Sequence, residues 1–203
     1  MDIHRGGEDL RFPHHEAEIA QVEPVTGVKP FVRSWMHIAM VRHEGEKMSK
    51  SLGNLVMVRD LLEKWSSDAL RLYLGSFHYR KSWSHDDAVL KQAEANVDKM
   101  RWAVAPNGGN GKALDPVSAW ASFCAAMDND LDTPMAQKNM LSFADEILEA
   151  TGANLDVRQA QASLRRMSGV FGLQLDKDGP DPRVIEGWDK HLKRFLGEAE
   201  ISR

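Results

Sequence analysis

Two lysines three residues apart, Lys47 and Lys50, stand inside the string Gly45-Glu46-Lys47-Met48-Ser49-Lys50-Ser51-Leu52-Gly53-Asn54. Paired ammonium groups on a glycine-bounded loop can close on an anionic ligand and stabilise charge that develops on it, while the glycines permit the loop to move. A bare KxxK is usually solvated surface; the ten-residue string sets this one apart. A second grouping lies upstream, where His14 and Glu18 stand at i, i+4 and share one face of a helix. Seven of the eight histidines precede residue 86, so the residue types suited to chemistry gather in the first part of the chain.

The elements that position these groups follow from composition and spacing. The 203 residues carry 26 Lys+Arg against 30 Asp+Glu and are 42% hydrophobic, enough for one or two self-supporting domains. Residues 1–104 hold 15 basic and 15 acidic side chains and 105–203 hold 11 and 15, so charge alone neither demands nor forbids a nucleic-acid partner. One Cys excludes an internal disulfide framework and a four-cysteine zinc knuckle, and suits a reducing, cytoplasmic setting. No apolar run approaches the ~18 residues of a membrane span, and Met1-Asp2-Ile3-His4-Arg5 lacks the apolar stretch of a signal peptide.

From Arg59 onward the spacing predicts helices. Asp68 is placed as the N-cap of a segment reaching Leu74, and Ser84-His85-Asp86-Asp87 opens another whose apolar stripe is Leu90, Ala93, Val97, Met100 and Val104. Residues 106–113, with three Gly and two Asn, read as a linker. Beyond it, Asp115-Pro116 leads Val117, Trp120, Cys124 and Met127, which makes Cys124 a core residue. Thr133-Pro134 leads Ala136, Met140, Phe143, Ile147 and Leu148. Asp156 caps Ala160, Leu164, Met167 and Phe171, and Asp181-Pro182 leads Ile185, Trp188, Leu192 and Phe195. In the less regular start, His14 to Gln21 reads as a helix, Trp35 to Val41 as a buried strand and Leu55 to Val58 as a short one. The expectation is a mostly α protein, a helical bundle following a small α/β segment.

The lysine string resembles the KMSKS signature of class I aminoacyl-tRNA synthetases. The block from Asp2 to Gln21, DIHRGGEDLRFPHHEAEIAQ, resembles the corresponding stretch of cysteinyl-tRNA synthetases. Trp35-Met36-His37, Asp68-Ala69-Leu70-Arg71 with His78-Tyr79-Arg80, and Ala126-Met127-Asp128-Asn129-Asp130-Leu131-Asp132-Thr133-Pro134 follow in family order. The resemblance implies three regions. Residues 1–58 would be the end of a class I Rossmann catalytic domain, 59–105 a stem-contact-like helical region, and 114–203 a DALR-type, anticodon-binding-like bundle. It also implies catalytic roles for Lys47 and Lys50, which stabilise the triphosphate during cysteine adenylation. His4, Gly6, Gly7, Asp9, Met48 and Lys50 become ATP-side positions, with His4 at the base of the amino-acid pocket. His14 and Glu18 match half of a zinc site completed by two upstream cysteines. Those cysteines are absent here, so a metal-free His/Glu surface pair is expected.

The implied tRNA contacts are Arg71, Arg80, Lys81, Arg158, Arg165 and Arg166, with Lys190, Lys193 and Arg194 further along. The chain differs from the family at Arg5, Ala17 and Ala39, carries no HIGH-type ATP signature, and ends without the basic segment that reads the anticodon. It is therefore expected to be shortened at both ends, to hold ATP weakly or not at all, and to bind tRNA without forming cysteinyl adenylate. Alternatives are one half of a split enzyme completed by a protein partner, or a helical interaction module. Neither a membrane nor DNA is an expected partner.

Overall fold

Short strands occupy the start of the chain, and a three-and-four apolar spacing takes over from residue 58. A computed structural model describes residues 1–48, 53–105 and 108–175, the Lys47 side chain apart. The chain divides into two compact units, Met1–Met57 with His78–His85, and Val58–Phe77 with the chain from Asp86 on.

In the first unit, β1 (Ile3–Gly7) pairs in parallel with β2 (Ser34–Ile38), Ile3 opposite Ser34 and Gly7 opposite Ile38. Their connection runs through a 3-10 turn at Glu8–Leu10, a π-helical turn at Arg11–His15, and α1 (Glu16–Thr26). Gly27 ends α1 at φ 71°, the left-handed conformation that closes a helix. A second sheet places β3 (Val41–His43) between antiparallel β4 (Glu46–Lys47) and parallel β5 (Trp83–Ser84).

Two expectations are corrected here. The run from Trp35 to Val41 is two strands in different sheets, because the Ala39 N–H leaves the ladder and donates to the Tyr79 carbonyl at 2.8 Å. Leu55 to Val58 forms no strand; it is irregular backbone leading into α2 (Val58–Leu62), a four-residue apolar run being too short to distinguish strand from helix.

The second unit is a helical bundle. Ser66, not Asp68, caps α3 (Ser67–Gly75), its hydroxyl accepting the Ala69 N–H at 3.1 Å. Asp86 caps α4 (Asp87–Val104), accepting the Ala88 N–H at 2.8 Å, and the expected stripe Leu90, Ala93, Val97, Met100 and Val104 is buried. α5 (Val117–Asp128) buries Phe123 and Ala126, so the expected stripe is displaced: Val117 is exposed, and Trp120, Cys124 and Met127 are half-buried. Cys124 therefore lies at the margin of the core, not within it. Asp132 caps α6 (Thr133–Gly152) with Pro134 in its first turn, and α6 buries Ala136, Met140, Phe143 and Ile147. α7 (Arg158–Val170) buries Ala160, Leu164 and Met167 against α4 and α6, while Phe171, just beyond it, is half-buried.

The described part of the glycine-rich stretch is not a free linker. Gly109 and Gly111 donate to the carbonyls of Leu155 and Asn154 at 2.9 and 3.0 Å. A Cβ at Gly109 would stand 2.3 Å from the Asn154 carbonyl oxygen, so only glycine permits that approach. The helix expected from Asp181-Pro182, with Lys190, Lys193 and Arg194, lies outside the described residues. No helix among the described residues is long and apolar enough to cross a membrane.

Asp68 is unavailable for capping because it is buried at 3% exposure against the Arg101 guanidinium, 3.0 Å away. Arg101 also reaches Asp98, 3.4 Å away and fully buried, and the Asp68 carboxylate accepts the Gln174 N–H at 3.1 Å. One cation thus holds two carboxylates in an apolar bundle. Removing a buried partner leaves charge without compensation, at a cost of about 3–5 kcal/mol. Arg101→Met is accordingly expected to lower unfolding stability in urea by that amount. Lys99→Ala, which opens the more exposed pair with Asp145, should cost less than about 1 kcal/mol.

Candidate functional site in the first unit

A strand sends successive side chains to opposite faces, so register decides which residues meet. His4 lies opposite Trp35 and Gly6 opposite His37, which gathers these four positions on one face of the β1–β2 pair. The π-helical turn delivers His15 onto that face, only 3% exposed. Its ring centroid lies 4.9 Å from those of His4 and Trp35 and 5.1 Å from that of His37. His15 Nδ1 and His37 Nε2 share a hydrogen bond of 2.9 Å. A Cβ at Gly6 would stand 2.9 Å from Cε1 and 3.0 Å from Nε2 of His15, so glycine makes the room this ring occupies. Gly7 does the same for Asp9, whose Oδ1 would lie 2.6 Å from an added Cβ.

The expected His14–Glu18 pair forms, with His14 Nε2 3.2 Å from Glu18 Oε1. It is one part of a larger arrangement, since the other oxygen, Oε2, lies 2.7 Å from His4 Nε2. His14 is largely exposed, at 60% of its side chain, whereas His4 and Glu18 are half-buried at 27% and 32%. Donor atoms of His4, His15 and Glu18 all lie within 4.8 Å of one another. Burial, the Arg11 charge, and then His15 and His4 together push the His37 imidazole below its ordinary 6.5.

His15 and His37 were not singled out by spacing, although both signals are present. His15 precedes Glu18 by three, as close on a helix as four. Trp35 and His37 alternate on a strand.

The lysine string begins in a hairpin. Glu44 and Gly45, at φ 52° and 81°, form the two-residue turn between β3 and β4, the arrangement whose twist matches the strands. Gly45 therefore serves turn geometry. Lys47 lies on β4 opposite Arg42, and Met48 is half-buried. Lys50 and the Lys47 side chain lie outside the described residues.

Of the cations implied as tRNA contacts, Arg80 stacks over the Tyr79 ring at 4.9 Å and Lys81 is exposed beside it. In the second unit Arg71 is exposed on α3 and Arg166 lies over Trp120 at 4.1 Å. Arg158 forks onto Asp156 at 2.9 and 2.7 Å, holding that carboxyl at about 2, and Arg165 donates to the Val104 carbonyl at 2.8 Å. The four-ligand zinc set with two thiolates does not fit the first unit, since the chain's single cysteine sits on α5 of the second. Imidazole and carboxylate donors are what this unit supplies.

Residues 1–95 match the family described as tRNA synthetases class I (C) catalytic domain. The Cysteine--tRNA ligase of Cupriavidus pinatubonensis is 39% identical over 200 residues, covering 92% of this chain and 42% of that protein. That of Pseudomonas paraeruginosa is 39% identical over 182 residues, covering 88% and 39%. The chain thus spans about two-fifths of the length of these curated relatives. Among solved structures, the ternary complex of Agrobacterium radiobacter K84 agnB2 LeuRS with tRNA and LeuAMS aligns at a TM-score of 0.57 and 15% identity, over 91% of this chain and 29% of that one. Mycobacterium tuberculosis methionyl-tRNA synthetase with methionyl-adenylate aligns at 0.54 and 18% identity, over 84% and 39%. Both show likeness of fold.

The lowered His37 value sets a pH dependence. Below 6.5 the unfolded chain binds more protons than the folded one, so stability of the first unit is full above 6.5 and falls as pH drops toward the folded value. A histidine-resolved NMR titration should place the His37 midpoint below 6.5, with a midpoint at or above it contradicting this account.

Proposed function

Over residues 1–95 the chain belongs to the class I (C) tRNA synthetase catalytic-domain family, and over nine-tenths of its length it is a relative of the cysteine–tRNA ligases; from that premise we propose that these 203 residues bind tRNA without forming cysteinyl adenylate on their own. The observation that carries the reading is identity of 39% running from the His-rich first unit through the helical bundle. The family reaction, ATP-dependent attachment of cysteine to its tRNA, needs both a nucleotide pocket and a surface for RNA.

Phosphate binding is supported in the first unit by exposed Arg80 and Lys81, and in the second by exposed Arg71 and Arg166. Lysine and arginine groups neutralise phosphates and release counterions, which gives binding a steep salt dependence. The aromatic rings under Arg80 and Arg166 hold those guanidinium groups in place.

The nucleotide pocket is the weaker part. Doubly wound sheets bind nucleotides at the carboxyl ends of several parallel strands, and the described first unit pairs only β1 with β2 and β3 with β5 in that sense. The 203 residues contain no HIGH-type signature. Positioning of reactants is worth roughly 7–11 kcal/mol, and loss of a third of that is already orders of magnitude in rate. Gly6, Gly7, Asp9 and the lysine string would then contact the RNA terminus or a nucleotide without completing the chemistry.

An ATP–pyrophosphate exchange assay with cysteine should show no exchange by the pure 203-residue protein; clear exchange sinks the proposal of inactivity. A gel-shift titration against tRNA should show binding that weakens more than about tenfold between 50 and 200 mM salt. Replacing Arg71, Arg80 and Lys81 together by Ala should weaken it further and flatten the salt slope. Salt-insensitive binding, or none at 50 mM, contradicts the tRNA reading.

A further inference from the structure

We propose that the outer face of α5, with the adjoining end of α7, is the docking surface for residues 182–196 of this same chain, held there as an amphipathic helix. The inference does not depend on the tRNA reading. No charged residue occurs on α5 between Val117 and Met127, yet the helix buries only Phe123 and Ala126. Val117 is 67% exposed, Ala121 and Ala125 are exposed, and Trp120 and Cys124 are half-buried. α7 continues the patch: Arg166 lies over Trp120 at 4.1 Å, and Val170, one turn further on the same helix face, is 57% exposed. A helix exposed to water on one side normally carries charged groups there, and an uncharged, largely apolar face marks a surface for a neighbour.

The chain itself supplies the occupant. Phe171, just past α7, stands edge-on to Phe123 of α5 with ring centroids 6.3 Å apart, and Leu173 and Leu175 are buried beyond it. Leu175 is thus at most about 14 Å of chain from the Phe171 position. Residues 176–203 follow, and within them Val184, Ile185, Trp188, Leu192, Phe195 and Leu196 fall in an arc of roughly 120° on an ideal helix. Asp181-Pro182 supplies the cap and first turn for such a helix. A helix over 182–196 is about 22 Å long against about 18 Å for α5, and residues 176–181 span up to about 20 Å, enough to return from Leu175. Docking withdraws the apolar arc from water and leaves Lys190, Lys193 and Arg194 on the solvent side. A second copy of the chain fits less well. One helix face about 18 Å by 10 Å falls far short of the roughly 800 Å² per partner that stable dimers bury, whereas a tethered segment is held at high effective concentration.

Cys124, the chain's single cysteine, sits at the margin of the patch and makes the proposal testable in the full chain. One cysteine is added at a time, by Ile185→Cys, Trp188→Cys or Leu192→Cys on the apolar arc, or by Lys190→Cys on the opposite side. Each protein is then oxidised with copper–phenanthroline at low protein concentration. A disulfide needs Cα atoms within about 7 Å, so at least one arc position should give an intramolecular disulfide, read as a faster-running monomer on a non-reducing gel. Lys190→Cys should give none. With Cys124 as the only thiol, Trp188→Asp should speed its alkylation more than about tenfold, because thiol reactivity follows access, while Lys190→Ala leaves the rate within about twofold. Circular dichroism and urea unfolding confirm that the bundle stays folded in each variant. Disulfide-linked dimers without intramolecular product would assign the face to a second copy and overturn the proposal. Cross-linking as strong from Lys190→Cys as from the arc, no intramolecular disulfide from any arc position, or alkylation unchanged by Trp188→Asp each overturns it as well.

Discussion

The parallel pairing of β1 with β2 is the constraint on which the first unit's chemistry depends. With His4 opposite Trp35 and Gly6 opposite His37, every group of the cluster faces one way. A slip of one residue would turn His4 and Gly6 to the far side and leave Trp35 and His37 facing Ile3 and Arg5. His15 then could not find both a hydrogen-bond partner and a floor without a Cβ. The register is set over only five residue pairs, and the unit buries few apolar side chains among the described residues, Val32 and Ala39. The aromatic and imidazole rings around His15 therefore supply packing as well as polar contacts.

The second unit is organised by burial on a different scale. Leu72, Tyr73, Leu90, Val97, Met100, Met140, Phe143, Ile147, Leu164 and Met167 are fully enclosed, and each large side chain contributes roughly 1.5–3 kcal/mol when withdrawn from water. Within that core the polar groups have a pattern. Gln137 donates to the Leu72 carbonyl, Gln161 to that of Ala103, and Arg101 joins Asp68 on α3 to Asp98 on its own helix. Apolar packing alone tolerates rotation of one helix against another, whereas these bonds fix which faces meet. The Asp68 carboxylate also receives the Gln174 N–H, tying the chain beyond α7 to the start of α3.

The helices were legible in the sequence because their signals are local. The α4 stripe, the Thr133–Pro134 opening of α6 and the α7 positions Ala160, Leu164 and Met167 follow from spacing alone, although the caps fall at Asp132 and Val157. The misplaced elements share a physical cause. Asp68 has the chemistry of a cap, but its partner is 33 residues away on another helix. The α5 stripe shifted to Phe123 and Ala126 because what a helix buries depends on its neighbours. Trp35 to Val41 is apolar enough for one strand, yet a carbonyl from Tyr79 breaks it. In the site, the i, i+4 pair of His14 and Glu18 was visible. The contribution of His4 was not, since it comes from a strand 14 positions before Glu18 on α1.

The first unit also alters what can be inferred from its glycines. Gly6 and Gly7 lie in a string whose resemblance points to a nucleotide, and small residues there would let a backbone approach adenosine. Yet Gly6 is needed under His15 and Gly7 under Asp9 before any ligand arrives. Gly45, inside the lysine string, is needed for the turn between β3 and β4. Each of these residues has a structural reason to be glycine that is complete without ATP. Their presence is consequently compatible with a chain that folds as part of a synthetase and does not adenylate. The cluster of His4, His15 and Glu18 has no such backbone reason. A buried imidazole beside a half-buried carboxylate and a second imidazole is costly to assemble for packing alone, where apolar side chains would serve.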